Sequence, residues 1–160
     1  MKRQILWLFA LALMLAACQQ APKDIILTSG PEVDWAKEMM QAFVDGDWTK
    51  YRSYYADTAV IMRNSSKVSP DSLAQDRSFV DKIERETEAL EVLKYANGDQ
   101  WNVWWGSLTT TYKGTGTVVK MQVHTARKIV NGKVVIDLAY FDPTATTAAG
   151  LAAAAPPVMK

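Results

Sequence analysis

Along residues 34–44 the apolar positions recur at three- and four-residue spacing. Trp35, Met39 and Phe43, flanked by Ala36, Met40 and Val44, form one stripe of a helix that opens at Asp34 as its N-cap and stops at Gly46. Asp47 then caps a second, short helix carrying Trp48, Tyr51 and Tyr54 or Tyr55. TAVIMR, residues 58–63, reads as a short strand. Pro70 and Asp71 start a third helix through SLAQDRSFVDKIERETEAL, with Leu73, Phe79, Val80 and Ile83 inward and the charges outward. From Leu90 the pattern is strand, over 90–95, 101–112, 117–130 and 134–142, broken at Asn97-Gly98-Asp99, at 113–116 and at Asn131-Gly132. Asn-Gly between two β-branched runs is the strongest short hairpin signal and calls for a type I′ turn. Three N-terminal helices followed by a long, mainly antiparallel meander describe an α+β domain, the helices packed on one face of a strongly curved sheet.

The flanks bound this domain. Lys2 and Arg3 precede 11 apolar residues, 5–15, a run too short for a bilayer, which needs roughly 20, but suited to a secretory signal peptide. Its ending, LAAC, resembles the lipobox of bacterial lipoproteins. That resemblance implies cleavage of residues 1–17 and acylation of Cys18 as the lipidation site. Gln19, rather than Asp, after the cysteine resembles sorting to the outer membrane of Gram-negative bacteria. The alternative is an ordinary signal peptide with Cys18 incidental, yet Cys18 is the only cysteine and stands where a lipobox needs it. Residues 18–32, with Pro22, Gly30 and Pro31, read as a tether, and the Ala-rich residues 144–160 as a disordered or weakly helical tail. The domain proper is expected over 33–143.

Charge and motif content remove several classes. Without residues 1–17, 16 basic side chains face 17 acidic ones, so no basic surplus points to nucleic acid. A lone cysteine forbids an intrachain disulfide. One histidine and scattered carboxylates make no metal-ligand set. With no Gly-rich phosphate loop, G-x-S-x-G or C-x-x-C, no cofactor is implied.

That one histidine, His124, lies in the hairpin around Asn131-Gly132. If Val130 pairs with Lys133 and the register runs unbroken, His124 faces Ala139 and Ala126 faces Asp137. One face then carries His124, Asp137, Ala139 and Phe141; the other carries Val123, Arg127, Ile136 and Leu138. Taking 113–117 as the preceding turn adds Trp104 and Leu108 to the face of His124, and Trp101, Val103 and Trp105 to the opposite one. Composition alone would bury the Val123 and Leu138 face and leave His124 in solvent.

DGDW after the first helix, YADTAV entering the first strand, and NGKV followed by YFD resemble the nuclear-transport-factor-2-like superfamily, in particular its SnoaL-like polyketide cyclase branch. The resemblance covers about residues 33–143. It implies a cone, with three helices closing over a bent sheet around an apolar pocket. Function does not follow, since the superfamily holds isomerases, dehydratases, hydrolases, cyclases and binding modules. In its ketosteroid isomerases the position matching His124 is a pocket acid, and the positions matching Asp137, Ala139 and Phe141 line the pocket. The resemblance therefore turns His124 inward and leaves the other face for a homodimer. The isomerase base and helix tyrosine are replaced here by Arg63 and Met39. A guanidinium stays protonated, so isomerase-type proton abstraction is not expected.

The candidate site is then Arg63, His124 and Asp137 with Trp104 and Phe141. It would bind a small hydrophobic or amphipathic molecule. The alternatives are an enzyme of cyclase, dehydratase or hydrolase type using His124 as catalytic general acid or base, and a protein-interaction domain with a vestigial pocket. Each residue also has a plain structural reading. A strand histidine is more often a hydrogen-bonding residue than a catalyst, Asp137 can neutralise Lys128 or Arg127, and Trp104 can be core.

Overall fold

The computed structural model describes residues 23–154, except the side chains of 74–76; the expected signal peptide and Cys18 lie outside the described residues. Strand β1 (Ile25–Leu27) precedes helix α1 (Pro31–Asp45), which leads through Gly46 in the left-handed conformation to α2 (Trp48–Ser53). Then come β2 (Tyr55–Arg63), β3 (Ser66–Val68), α3 (Pro70–Asp76) and a single 3-10 turn at Arg77–Phe79. Four long or medium strands follow, β4 (Val80–Lys94), β5 (Gln100–Tyr112), β6 (Val118–Val130) and β7 (Lys133–Phe141), and helix α4 (Thr144–Ala154) ends the described chain. The seven strands form one mixed sheet in the order β1-β4-β5-β6-β7-β2-β3, antiparallel throughout except where β2 runs parallel to β7.

The α+β class holds, with four corrections. Helix α1 begins at Pro31, three residues before the expected cap at Asp34, because proline is pre-organised for the first helical position. Part of the expected tether is folded, since β1 pairs with β4. The Ala-rich stretch, expected as a disordered or weakly helical tail, is helical over Thr144–Ala154 (α4) and packed, with Ala149 against Tyr112 and Val119 and the Tyr112 hydroxyl donating to the Thr146 carbonyl.

The fourth correction is the largest. Residues 80–90, expected as the body of the third helix, belong to β4 and pair along β5. Glu, Lys, Ala and Leu are good helix formers, but tertiary pairing overrides propensity. A register shift between Thr87 and Ala89 makes Glu88 an extra residue, so the inward positions change from 83, 85 and 87 to 90 and 92. Strict alternation is broken there, and the segment mimics a helical period.

A second bulge matters more. The Asn131-Gly132 turn forms as its sequence demands, with φ of 50° and 72°, and Val130 pairs with Lys133 and Ile129 with Val134. The next pair is Lys128 with Ile136, so Val135 is an extra residue and everything beyond it is shifted by one. Arg127 therefore faces Asp137, Thr125 faces Ala139, and His124 faces Tyr140 rather than Ala139. The β5–β6 register sets Trp104 opposite Thr125 and Trp105 opposite His124. The concave face thus carries Trp104, Leu108, Val123, Thr125, Arg127, Asp137 and Phe141, covered by α1 and α2, with Met39, Met40, Tyr51, Tyr55 and Ile61 in the same core. Gly106 makes room for this: a Cβ there would lie 2.1 Å from the Glu86 carbonyl oxygen and 2.6 Å from the Trp104 ring.

Candidate functional site

Inside the cone lies a cavity of about 580 Å³. Met40, Phe43, Leu108, Met121 and Val123 give it apolar walls, and Pro143, Thr147 and Gly150 of the α4 region close one side. Asn64, with φ of 52°, fixes the rim: its side chain donates to the Phe141 carbonyl and accepts from the Phe141 amide. Arg63, which pairs with Ala139, and Phe141 are both in the lining.

At one end stands a buried polar cluster. Tyr51, Tyr55, Thr125, Arg127 and Asp137 are each less than 5 % exposed. Arg127 Nε donates to Asp137 Oδ2 at 3.1 Å, and its terminal Nη1 donates to Thr125 Oγ1 at 2.9 Å. The Tyr55 hydroxyl donates to the same Asp137 oxygen at 2.5 Å, and Tyr51 lies 2.6 Å behind it. Asp137 Oδ1 is buried and has no hydrogen-bond partner. Two donors on one oxygen and none on the other is an asymmetric arrangement for a carboxylate that has acceptor sites on both.

The electrostatics follow from burial and the ion pair. Burial pushes the Tyr55 hydroxyl well above the ordinary phenol range, and the negative Asp137 pushes it further; burial likewise raises Tyr51. For Arg127 burial opposes the charge most strongly, but Asp137 together with Tyr55 and Tyr51 outweighs it, and the net effect holds the guanidinium protonated. Breaking such a buried pair by removing one partner costs about 3–5 kcal/mol, because the other charge stays desolvated.

Of the residues singled out in the sequence, Arg63, Trp104, Asp137 and Phe141 line the cavity. His124 does not. Its pairing with Trp105 on β5, and with Tyr140 on β7 beyond the shift at Val135, puts it on the outer face of the sheet, where its ring stacks on Trp105 at 4.4 Å and 6° and lies 6.3 Å from Tyr140. Burial there pulls its pKa below the ordinary histidine value. Asp137 takes Arg127, not Lys128, as its partner; Lys128 pairs instead with Asp99. Tyr51, Tyr55, Thr125 and Arg127 were not legible as site residues. The one available signal was Arg127 four residues before the Asn131-Gly132 turn and Asp137 five after it, a spacing that brings them together only once the bulge is known. Arg77, also in the lining, donates to the Phe43 and Val44 carbonyls at the end of α1 and lies over the Phe43 and Trp48 rings. Its charge there complements the helix C-terminus.

This fold is the nuclear-transport-factor-2-like cone. Among solved structures, a SnoaL-like protein from Shewanella putrefaciens is similar at 16% identity and a TM-score of 0.61, over 78% of this chain and 98% of that one. A protein from Catenulispora acidiphila with a ketosteroid isomerase-like fold, in complex with trimethylamine, is similar at 14% identity and a TM-score of 0.60, over 81% and 100%. An LEH-like epoxide hydrolase from M. tuberculosis is similar at 16% identity and a TM-score of 0.54, over 77% and 94%. No family model and no curated protein matches the sequence.

Raised folded-state pKa values of Tyr51 and Tyr55 mean that their contribution to stability is complete below the unfolded value of about 10 and is lost as pH rises beyond it. Stability should therefore fall from about pH 10 upward, and phenolate absorbance of these two rings should appear together with unfolding. All six tyrosines titrating near the ordinary value in a still-folded protein would contradict the buried cluster.

Proposed function

We propose that this chain is an envelope lipoprotein whose cone domain holds a small amphipathic molecule and pairs with a second copy through its convex sheet face. The observation that carries the binding reading is the cavity itself: about 580 Å³, apolar along its walls and polar at one end. Ligand cavities have this composition and size. An open interior speaks against a vestigial pocket. Catalysis through His124 loses its support, because the imidazole stands on the other side of the sheet. A second reading, an enzyme that uses Asp137 Oδ1 to accept a proton, is favoured by that oxygen's lack of a partner. The epoxide hydrolase among the similar structures is compatible with it. The two readings part when the purified chain is equilibrated with native lipid and metabolite extract and analysed by native mass spectrometry. Binding gives one retained adduct of unchanged mass, released by Val123→Phe, which fills the cavity; turnover gives a changed mass in the extract. No adduct and no turnover would count against both.

The dimer is supported by the composition of the outer face. Trp101, Val103, Trp105, Ala126, Leu138 and Tyr140 share it by register, with Trp105 and Tyr140 at 40 % and 50 % exposure. Leu138→Arg should give a smaller species by sedimentation at micromolar concentration. A wild type that already sediments as a monomer would remove the interface.

LAAC carries the anchor. Stable anchoring takes more than one lipid chain, and acylated lipoprotein cysteines supply several. Cys18→Ser should move the protein from the membrane to the soluble fraction. Unchanged acyl labelling of that variant would refute the anchor.

A further inference from the structure

One wall of the cavity is held far less firmly than the rest. Thr146, Thr147, Gly150, Leu151 and Ala154 of α4 line it, at the three- and four-residue spacing of a single helix face. Residues 144–154 read TATTAAGLAAA, so the helix has no charged side chain with which to form an ion pair to the body. Among the described residues a single hydrogen bond ties it to the sheet, from the Tyr112 hydroxyl to the Thr146 carbonyl at 3.2 Å. Where α1 buries five residues, α4 buries one, Ala149. The neighbouring 3-10 turn is better fastened, since Arg77 donates to two carbonyls of α1 and the Lys113 amide donates to the Phe79 carbonyl. Leu151 is in the lining and yet 70 % exposed, so the cavity meets solvent along α4.

The attachment of this helix is fixed at one end only. Phe141, at the end of β7, is clamped by two hydrogen bonds to the Asn64 side chain, and just Asp142 and Pro143 separate it from α4. A helix of 11 residues falls short of the roughly 12–15 that persist alone in water, so α4 lifted from the sheet melts. That event is local unfolding, and it breaks none of the bonds among Tyr55, Arg127, Thr125 and Asp137. We propose that α4 is the gate of the cavity, and that ligand enters and leaves while residues 144–154 are unfolded from their seat on Tyr112 and Val119. This rests on the binding reading above and adds how the cavity is reached.

The test loosens the helix without altering the cavity or the seat. Ala148 is exposed and lies outside the lining. Glycine in a helix interior favours the unfolded segment about fivefold over alanine. In Ala148→Gly, stopped-flow fluorescence of the neutral dye N-phenylnaphthylamine at low concentration should therefore show association and dissociation rate constants both raised about fivefold. The closed state weakens alike with and without dye, so the dissociation constant stays the same. Amide exchange over 144–154 should quicken by the same factor, and in the wild type it should already outrun that of β5 and β6. Gly150→Ala should slow association, because its added Cβ improves the helix and meets the Tyr112 ring at 3.8 Å, an ordinary contact. Rate constants of Ala148→Gly equal to those of the wild type, or wild-type α4 amides that exchange as slowly as those of β5 and β6, overturn the gate and leave the cavity reading standing. A wild type that binds no dye overturns both.

Discussion

The buried ion pair of Arg127 and Asp137 is the constraint on which the interior of this protein depends. In an unbroken hairpin the two would project from opposite faces of the sheet, Arg127 opposite Ile136 and Asp137 opposite Ala126. The extra residue at Val135 brings both onto the concave face, directly across from one another. Once there, neither can be left alone, because an unpaired charge at 3 % or 4 % exposure would cost several kcal/mol. The pair and the bulge therefore specify each other. Tyr55, the first residue of β2, supplies the second donor to Asp137, and through the Tyr51 hydroxyl behind it α2 is tied to the hairpin.

This shift and the β5–β6 register together set the two surfaces of the sheet. The concave one acquires a polar end in an otherwise apolar cavity. The convex one acquires a cross-strand ladder of Trp105, His124 and Tyr140, with Leu138 and Ala126 beside it. The histidine is thus part of an aromatic surface and the aspartate part of a binding site, although both lie on the same hairpin. The Ala-rich helix α4 completes the enclosure by covering Tyr112 and Val119.

How much of this was legible in the sequence follows from where alternation survives. The first two helices show an unbroken stripe or a capped turn, and the Asn131-Gly132 turn dictates its own geometry; both were readable. In β4 the bulge at Glu88 switches the inward parity midway, and the helix-forming residues around it completed a false helical period. In β7 the bulge at Val135 lies within a run of three β-branched residues, Val134, Val135 and Ile136, none of which marks itself as the extra one. Asp137 and Phe141 kept their inward orientation in the reading only because they were placed by the resemblance, while His124 was carried to the wrong face with them. Tyr51 and Tyr55 were readable as apolar positions but not as donors, since their role depends on an aspartate 82 residues from Tyr55.

The most direct measurement of the account is the β6–β7 register itself, from cross-strand nuclear Overhauser effects in the folded chain. The account expects Arg127 across from Asp137 and His124 across from Tyr140, with His124 ring contacts to Trp105 and none to Trp104. Contacts between Ala126 and Asp137 and between His124 and Ala139, with the His124 ring against Trp104, would mean an unbroken hairpin. They would return the histidine to the cavity and contradict the account.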